Sequence, residues 1–148
     1  MNITYKNTIT ADEVNAIRKS MGWRQQHPEQ MQGEIGAAEF LISAYDGDKA
    51  VGMATSGGNV LIVPEYQYQG IEKEFFARIF DFTRSKLKPG YGTQVHVRAW
   101  SDEQIKLYES LGFQISTPEK LGVPMHICLT NQIELTDKMF KQMEYKEE

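Results

Sequence analysis

The stretch VPEYQYQGIEKEFF, Val63 to Phe76, leaves a strand, crosses a polar turn and enters an aromatic-rich helix. Its chemistry lies in the backbone more than in any side chain. Gln67, Tyr68, Gln69, Gly70, Ile71, Glu72 and Lys73 cover the turn and the start of the helix. The first amides of a helix have no intrahelical acceptor, and the helix dipole adds partial positive charge at that end. Wrapped into one turn, such amides can hold a diphosphate without a basic side chain. Gly70 lets the backbone approach closely, and Lys73 adds a cation. The plainer alternative is a strand-to-helix connection whose amides bind water or a cap.

Other reactive residue types are sparse. Cys128 is the single cysteine, which excludes a disulfide framework and a cysteine zinc cluster. It lies in MHICLT, which alternates like a strand, and reads as a small buried apolar residue rather than a nucleophile. No metal site is expected. His96 alternates with Val95 and Val97 and reads as a sheet histidine, as does His126. In GWRQQHPEQM, Trp23 and His27 either line an aromatic or amine-binding site, or Trp23 closes the core behind the first helix.

These residues must be positioned by a chain of 148 residues, the size of one ordinary domain. At this length roughly two thirds of the unfolded surface can be buried, enough for a core without staples. Sixteen basic and twenty acidic residues leave a net charge of -4 and no basic stripe, which argues against a nucleic-acid partner. The charge suits a cationic substrate such as an amine, and equally an ordinary solubility surplus. MNITYKNTIT has no basic segment followed by an apolar run, and no apolar stretch approaches the ~20 residues of a membrane helix. A soluble cytoplasmic protein is expected.

The element order follows from periodicity and punctuation. NITY suggests a short first strand. Thr10 or Asp12 caps a helix through Val14, Ile17 and Met21, ended by Gly22, and a second short helix starts near Pro28. Asp46-Gly47 joins strands Glu39–Tyr45 and Ala50–Ser56, and SGGN leads into a third, Val60–Val63. A helix from Gly70 to Leu87 carries the stripe Ile71, Phe75, Ile79 and Phe82, widened by Phe76 and Phe80. Gln94–Ala99 reads as a strand with Val95, Val97 and Ala99 on one face. In SDEQIKLYESLGF, Ser101 caps a helix with Gln104 as its box partner, Ile105, Tyr108 and Leu111 share a stripe, and Gly112 closes it. Met125–Thr130 reads as a last strand. The tail places Leu135, Met139 and Met143 on one face of an amphipathic helix over 132–148, which packs on the domain or on a partner such as a second copy. A strand, a long helix and a strand imply a right-handed parallel crossover from Val60–Val63 to Gln94–Ala99. The fold class is α/β, a mixed sheet with helices on both faces.

With those elements in place, VLIVPEYQYQGIEKEFF resembles the acyl-CoA-binding motif of the GNAT superfamily of N-acetyltransferases, in which a V-x-P-E-Y strand enters a Q/R-x-x-G-x-G/A turn. Ile62 stands at the family's valine, followed by Pro64, Glu65 and Tyr66, and Gln67 and Gly70 match the turn. SDEQIKLYESLGF is similar to the family's N-x-x-A-x-x-x-Y-x-x-x-G-F helix at Tyr108, Gly112 and Phe113. The order of elements agrees from the first helix to Thr130, so a single GNAT-like domain over 1–131 is expected.

The resemblance implies a splayed parallel strand pair that admits the pantetheine arm of acetyl-CoA, a co-substrate. Backbone groups near Val60 and Ile62 would bond the arm and polarise the thioester carbonyl, and the amides of Gln67 to Lys73 would hold the diphosphate. A polarised carbonyl in a preorganised site stabilises the oxyanion that an attacking amine creates. Tyr108 would protonate the departing thiolate, a suitable task for a phenol of pKa about 10. Its alternative is a helix tyrosine with its hydroxyl at the rim. The implied activity is acetyl transfer to a primary amine of a small molecule or peptide. The rival is a weak or inactive CoA-binding or interaction module. Four departures favour the rival: Tyr68 for a common glycine, Glu72 for the final G/A, Ser101 for asparagine and Gln104 for alanine. Glu72 repels a diphosphate if it points into the turn and costs little if it points outward. Ser56 or Thr55 stands where many members place a basic glutamate, and no general base is assigned.

Overall fold

Thr10 starts the first helix for reasons legible in four residues. Its hydroxyl accepts the Glu13 N–H at 3.1 Å, and the Glu13 carboxylate accepts the Thr10 N–H at 3.0 Å. This capping box satisfies two orphan donors at the N-terminus of α1, Ala11–Ser20. Pro28 opens α2, Pro28–Ala37, where its missing N–H costs nothing. The strands are β1, Ile3–Lys6; β2, Leu41–Asp46; β3, Lys49–Thr55; and β4, Val60–Ile62. A single 3-10 turn, Pro64–Tyr66, leads to α3, Ile71–Ser85. Then come α4, Asp102–Ser110, and a short α5, Pro118–Leu121, which periodicity did not anticipate.

A computed structural model describes residues 1–127, and these fall into two units. One holds residues 1–21 and 25–98; the other holds Gly22–Arg24 and the chain from Ala99 on. The expected tail helix, Cys128 and the second half of the expected strand Met125–Thr130 lie outside the described residues, and residues 125–127 are not in a strand.

In the first unit the sheet runs β1-β2-β3-β4, every pair antiparallel. Gly47 takes φ 62 in the β2–β3 hairpin, which glycine adopts without strain. Successive strand residues point to opposite faces. Tyr45 faces α1, where its hydroxyl donates to Glu13 at 2.9 Å. Ala44 and its partner Tyr5 face α3, where the Tyr5 ring meets Phe75 edge-on at 6.0 Å. The two helices therefore cover opposite faces of one α/β sheet. The α3 stripe forms as its spacing predicts, with Ile71, Phe75, Phe76 and Ile79 buried and Phe82 stacked on Phe40 at 4.7 Å.

The expected strand Gln94–Ala99 joins no ladder, so the parallel crossover onto it is absent among the described residues. Its alternation survives: Val95, Val97 and Ala99 are half-buried while His96 and Arg98 are exposed. Alternation decides which face of an extended segment is covered. It does not supply a neighbouring backbone at ladder distance. His96, read as a sheet histidine, is thus an exposed residue outside the sheet.

The Tyr45–Glu13 contact carries a pH prediction. Burial, then the hydrogen bond to Glu13 and its charge, push the Tyr45 phenol up to about 12. A phenol raised above its unfolded value of about 10 adds stability that is complete below that pH. The contribution is lost as pH rises through the folded value. Thermal midpoints between pH 10 and 12 should therefore fall more steeply for the wild type than for Tyr45→Phe. Parallel slopes would show that the folded protein ionises Tyr45 as readily as the unfolded chain does.

Candidate active site

Among the described residues β4 is one of the two edge strands of the sheet. The Asn59 carbonyl accepts the Thr55 N–H at 3.0 Å, and the Val63 N–H donates to the Val51 carbonyl at 2.9 Å. Residues alternate in an antiparallel ladder, so the backbone groups of Val60 and Ile62 turn away from β3. These are the two residues that the sequence resemblance assigns to the pantetheine arm. The Ile62 carbonyl already has a donor, the Gln67 Nε2 at 2.9 Å.

The turn after β4 is tied to the scaffold by Tyr66. Its hydroxyl donates to Asp46 Oδ2 at 2.6 Å, across the β2–β3 hairpin. That bond is the main reason the Asp46 carboxyl is held below its ordinary value and the Tyr66 phenol above its own. The turn then splits into amides that are taken and amides that are not. The Gln67 N–H closes the 3-10 turn on the Pro64 carbonyl at 3.2 Å. The Tyr68 N–H donates to Glu72 Oε2 at 2.8 Å. Tyr68 itself sits at φ 62, a left-handed value unusual for a bulky residue. Gln69 folds onto the Glu65 carbonyl at 2.7 Å. Gly70 caps α3 at φ 101, where a Cβ would strain the backbone.

The first backbone-bonded amide of the helix is that of Glu74, to Gly70 at 3.1 Å. The amides of Ile71, Glu72 and Lys73 therefore have no intrahelical acceptor, the condition under which a helix end can receive an anion. Lys73 is exposed. Glu72, whose orientation the sequence left open, is buried and turned into the turn.

Asn15 escaped the sequence reading. It is buried in α1, donates through Nδ2 to the Gln26 carbonyl at 2.8 Å, and accepts the Gln26 N–H at 2.9 Å. Asparagine is the residue that can pair both backbone groups of one partner, and an Asn at a core position of an amphipathic helix was the available signal. His27, just beyond, caps α2 by accepting the Glu29 N–H on Nδ1 at 3.2 Å. Asn15→Ala should cost about 1–3 kcal/mol, because two part-buried backbone groups lose their partner. A denaturant midpoint unchanged from wild type would show that water replaces the side chain.

In the second unit, Ser101 caps α4 by accepting the Gln104 N–H at 3.1 Å. Gln104 reaches back one residue further than a standard box, accepting the Trp100 N–H at 2.6 Å. Tyr108 is buried in α4, its ring edge-on to Phe113 at 5.8 Å. Gly112 closes the helix at φ 102. Trp23 lies edge-on to Trp100 at 5.6 Å. His126 is exposed. Among the described residues no group of three or more His, Cys, Asp or Glu could hold a metal ion, and no helix is long and apolar enough to cross a membrane.

No protein-family model matches the chain. No curated protein matches it either. Solved structures do. A Staphylococcus aureus protein of unknown function, described as a probable acetyltransferase, superposes with a TM-score of 0.67 at 21% identity, covering 86% of this chain and 100% of its own. A GNAT-family acetyltransferase from Streptococcus pneumoniae gives 0.62 at 18% identity, over 88% and 98%. AAC(6')-Iy, in complex with the bisubstrate analog CoA-S-monomethyl-acetylneamine, gives 0.56 at 11% identity, over 89% and 99%. At such identities the likeness establishes the fold: this chain has the GNAT acetyltransferase fold, with an antiparallel sheet of four strands flanked by helices among the described residues.

Proposed function

We propose that the chain is an N-acetyltransferase that moves acetyl from acetyl-CoA to a primary amine of a small molecule or peptide. One observation supports this most: a turn at the N-terminus of α3, beside the outer edge of β4, on a fold shared with acetyltransferases. The residues of this reading are Val60 and Ile62 toward the pantetheine arm, the turn Gln67, Tyr68, Gln69, Gly70, Ile71, Glu72 and Lys73 toward the diphosphate, and Tyr108 as the acid for the leaving thiolate. Ser101, Trp23 and His27 complete it as cofactor and substrate contacts, within one GNAT-like domain over 1–131 of a soluble cytoplasmic protein. Acetyl-CoA would supply the activated acyl group. The amides fit its diphosphate; the Glu72 carboxylate, as it lies, does not, because it would bring two anions together.

Glu72 therefore favours a second reading, a GNAT-fold module with weakened CoA binding and little or no turnover. Calorimetric titration with acetyl-CoA and CoA, followed by thiol release against an amine panel, separates the two. Micromolar binding with turnover supports the transferase. Binding without turnover on any amine supports the module. No binding up to about millimolar, a free energy weaker than roughly 4 kcal/mol, overturns the transferase and leaves a relic fold that acts as an interaction module without CoA.

A further inference from the structure

Glu72 is 4% exposed, at the second position of α3. Its Oε2 accepts the Tyr68 N–H, and its Oε1 is buried with no hydrogen-bond partner. A buried carboxylate oxygen without a donor is costly, and the dipole alone does not require that cost. A first-turn glutamate can serve the dipole from the solvent side. Here the carboxylate has instead turned inward, into the turn whose amides form an anion-binding end.

A second side chain behaves alike. Gln67 folds back and donates to the Ile62 carbonyl at 2.9 Å, the outward-turned group of β4. Along the turn the chain thus satisfies with its own side chains two backbone groups that a ligand would need.

We propose that the Glu72 carboxylate is an internal occupant of the anion seat at α3, and that it must leave the Tyr68 amide before a diphosphate can enter. The proposal rests on the reading of this turn as a diphosphate seat. Three features make the closed form self-consistent. The carboxylate supplies the negative charge that the helix end favours. Its bond to Tyr68 holds that residue in a left-handed conformation that a bulky side chain seldom adopts alone. Its charge excludes other anions while it stays. Affinity for an anionic ligand is then lowered by the fraction of molecules in which the seat is closed. Glu72 then sets the affinity for any ligand that carries a diphosphate, by the fraction of molecules in which it has left the seat.

The test uses the full chain and two probes, inorganic pyrophosphate and CoA. Glu72→Gln keeps the shape and an acceptor for Tyr68 while removing the charge. It should bind pyrophosphate about ten- to a hundred-fold more tightly than wild type, the order expected for removing one like charge a few ångströms away. The backbone amide signals of Ile71 to Lys73 should shift in the same titration. Equal affinities, both measurable or both undetectable, overturn the proposal. If the variant gains pyrophosphate affinity but binds CoA no better than pyrophosphate, the proposal stands and the acyl-CoA reading falls. Should Glu72→Gln not fold, wild-type hydrogen exchange decides. A Tyr68 amide that is protected, and loses protection as pyrophosphate is added, supports the proposal. Exchange at the unprotected rate overturns it.

Discussion

Gly58→Ala is expected to destabilise the protein by about 2–5 kcal/mol, combining a left-handed backbone penalty with overpacking. Gly58 takes φ 98 in the turn between β3 and β4, and a Cβ there would lie 2.4 Å from the His96 carbonyl oxygen. Real Cβ atoms do not approach backbone oxygen so closely, and neither partner is a flexible side-chain end that can swing aside. Either the turn must open or the 94–98 segment must move. The residue beside it is the control: a Cβ at Gly57 meets only Thr55 Oγ1, at 3.7 Å. Gly57→Ala should therefore change stability by less than about 1 kcal/mol. Urea denaturation of both variants measures the difference. Equal midpoints would show that the 94–98 segment does not rest on the turn in solution. The effect reaches the proposed site, because Gly58 stands two residues before Val60 on the outer strand.

Tyr108→Phe should lower acetyl transfer by about ten- to a thousand-fold under the proposed reading, within or somewhat below the usual worth of a general acid. The residue is buried and its ring packs edge-on against Phe113 at 5.8 Å, a contact that phenylalanine keeps. A loss of rate therefore reports the hydroxyl and not the packing. CoA affinity should hardly change, so the loss should fall on kcat. An alkaline limb of the wild-type profile that belongs to the phenol should vanish in the variant. Turnover unaltered across pH would remove Tyr108 from the mechanism and leave it as a core residue of α4.

How far the sequence carries depends on the range of the interaction. Thr10 as one of two candidate caps of α1, Pro28 at the start of α2, Gly47 in its hairpin and Ser101 at the start of α4 were all legible, because each acts within a few residues. The α3 stripe was legible because a 3.6-residue period needs no partner to be recognised. The likeness to acetyltransferases was legible from two short motifs, and the solved structures bear out the fold that it implied.

Residues 94–99 show where that reach ends. Their alternation predicted the covered face correctly and the ladder wrongly, since a ladder needs a second backbone at the right distance. Gly58 looked like an ordinary turn glycine until the His96 carbonyl was found against it. Asn15 drew no reading from the sequence, because its two bonds to the Gln26 backbone join residues outside one helix period. Glu72 had two orientations equally compatible with the helix dipole. The choice was made by tertiary packing, which buries the start of α3 between Ile71 and Phe75 and leaves the carboxylate the Tyr68 amide as its donor. The sequence by itself determined the elements, their caps and the kind of fold they build. The tertiary structure alone decided which backbone groups of the site are taken by the chain's own side chains: Gln67 to Ile62 and Glu72 to Tyr68 are short-range contacts, but the burial that turns those side chains inward is set by the packed fold and not by residue type.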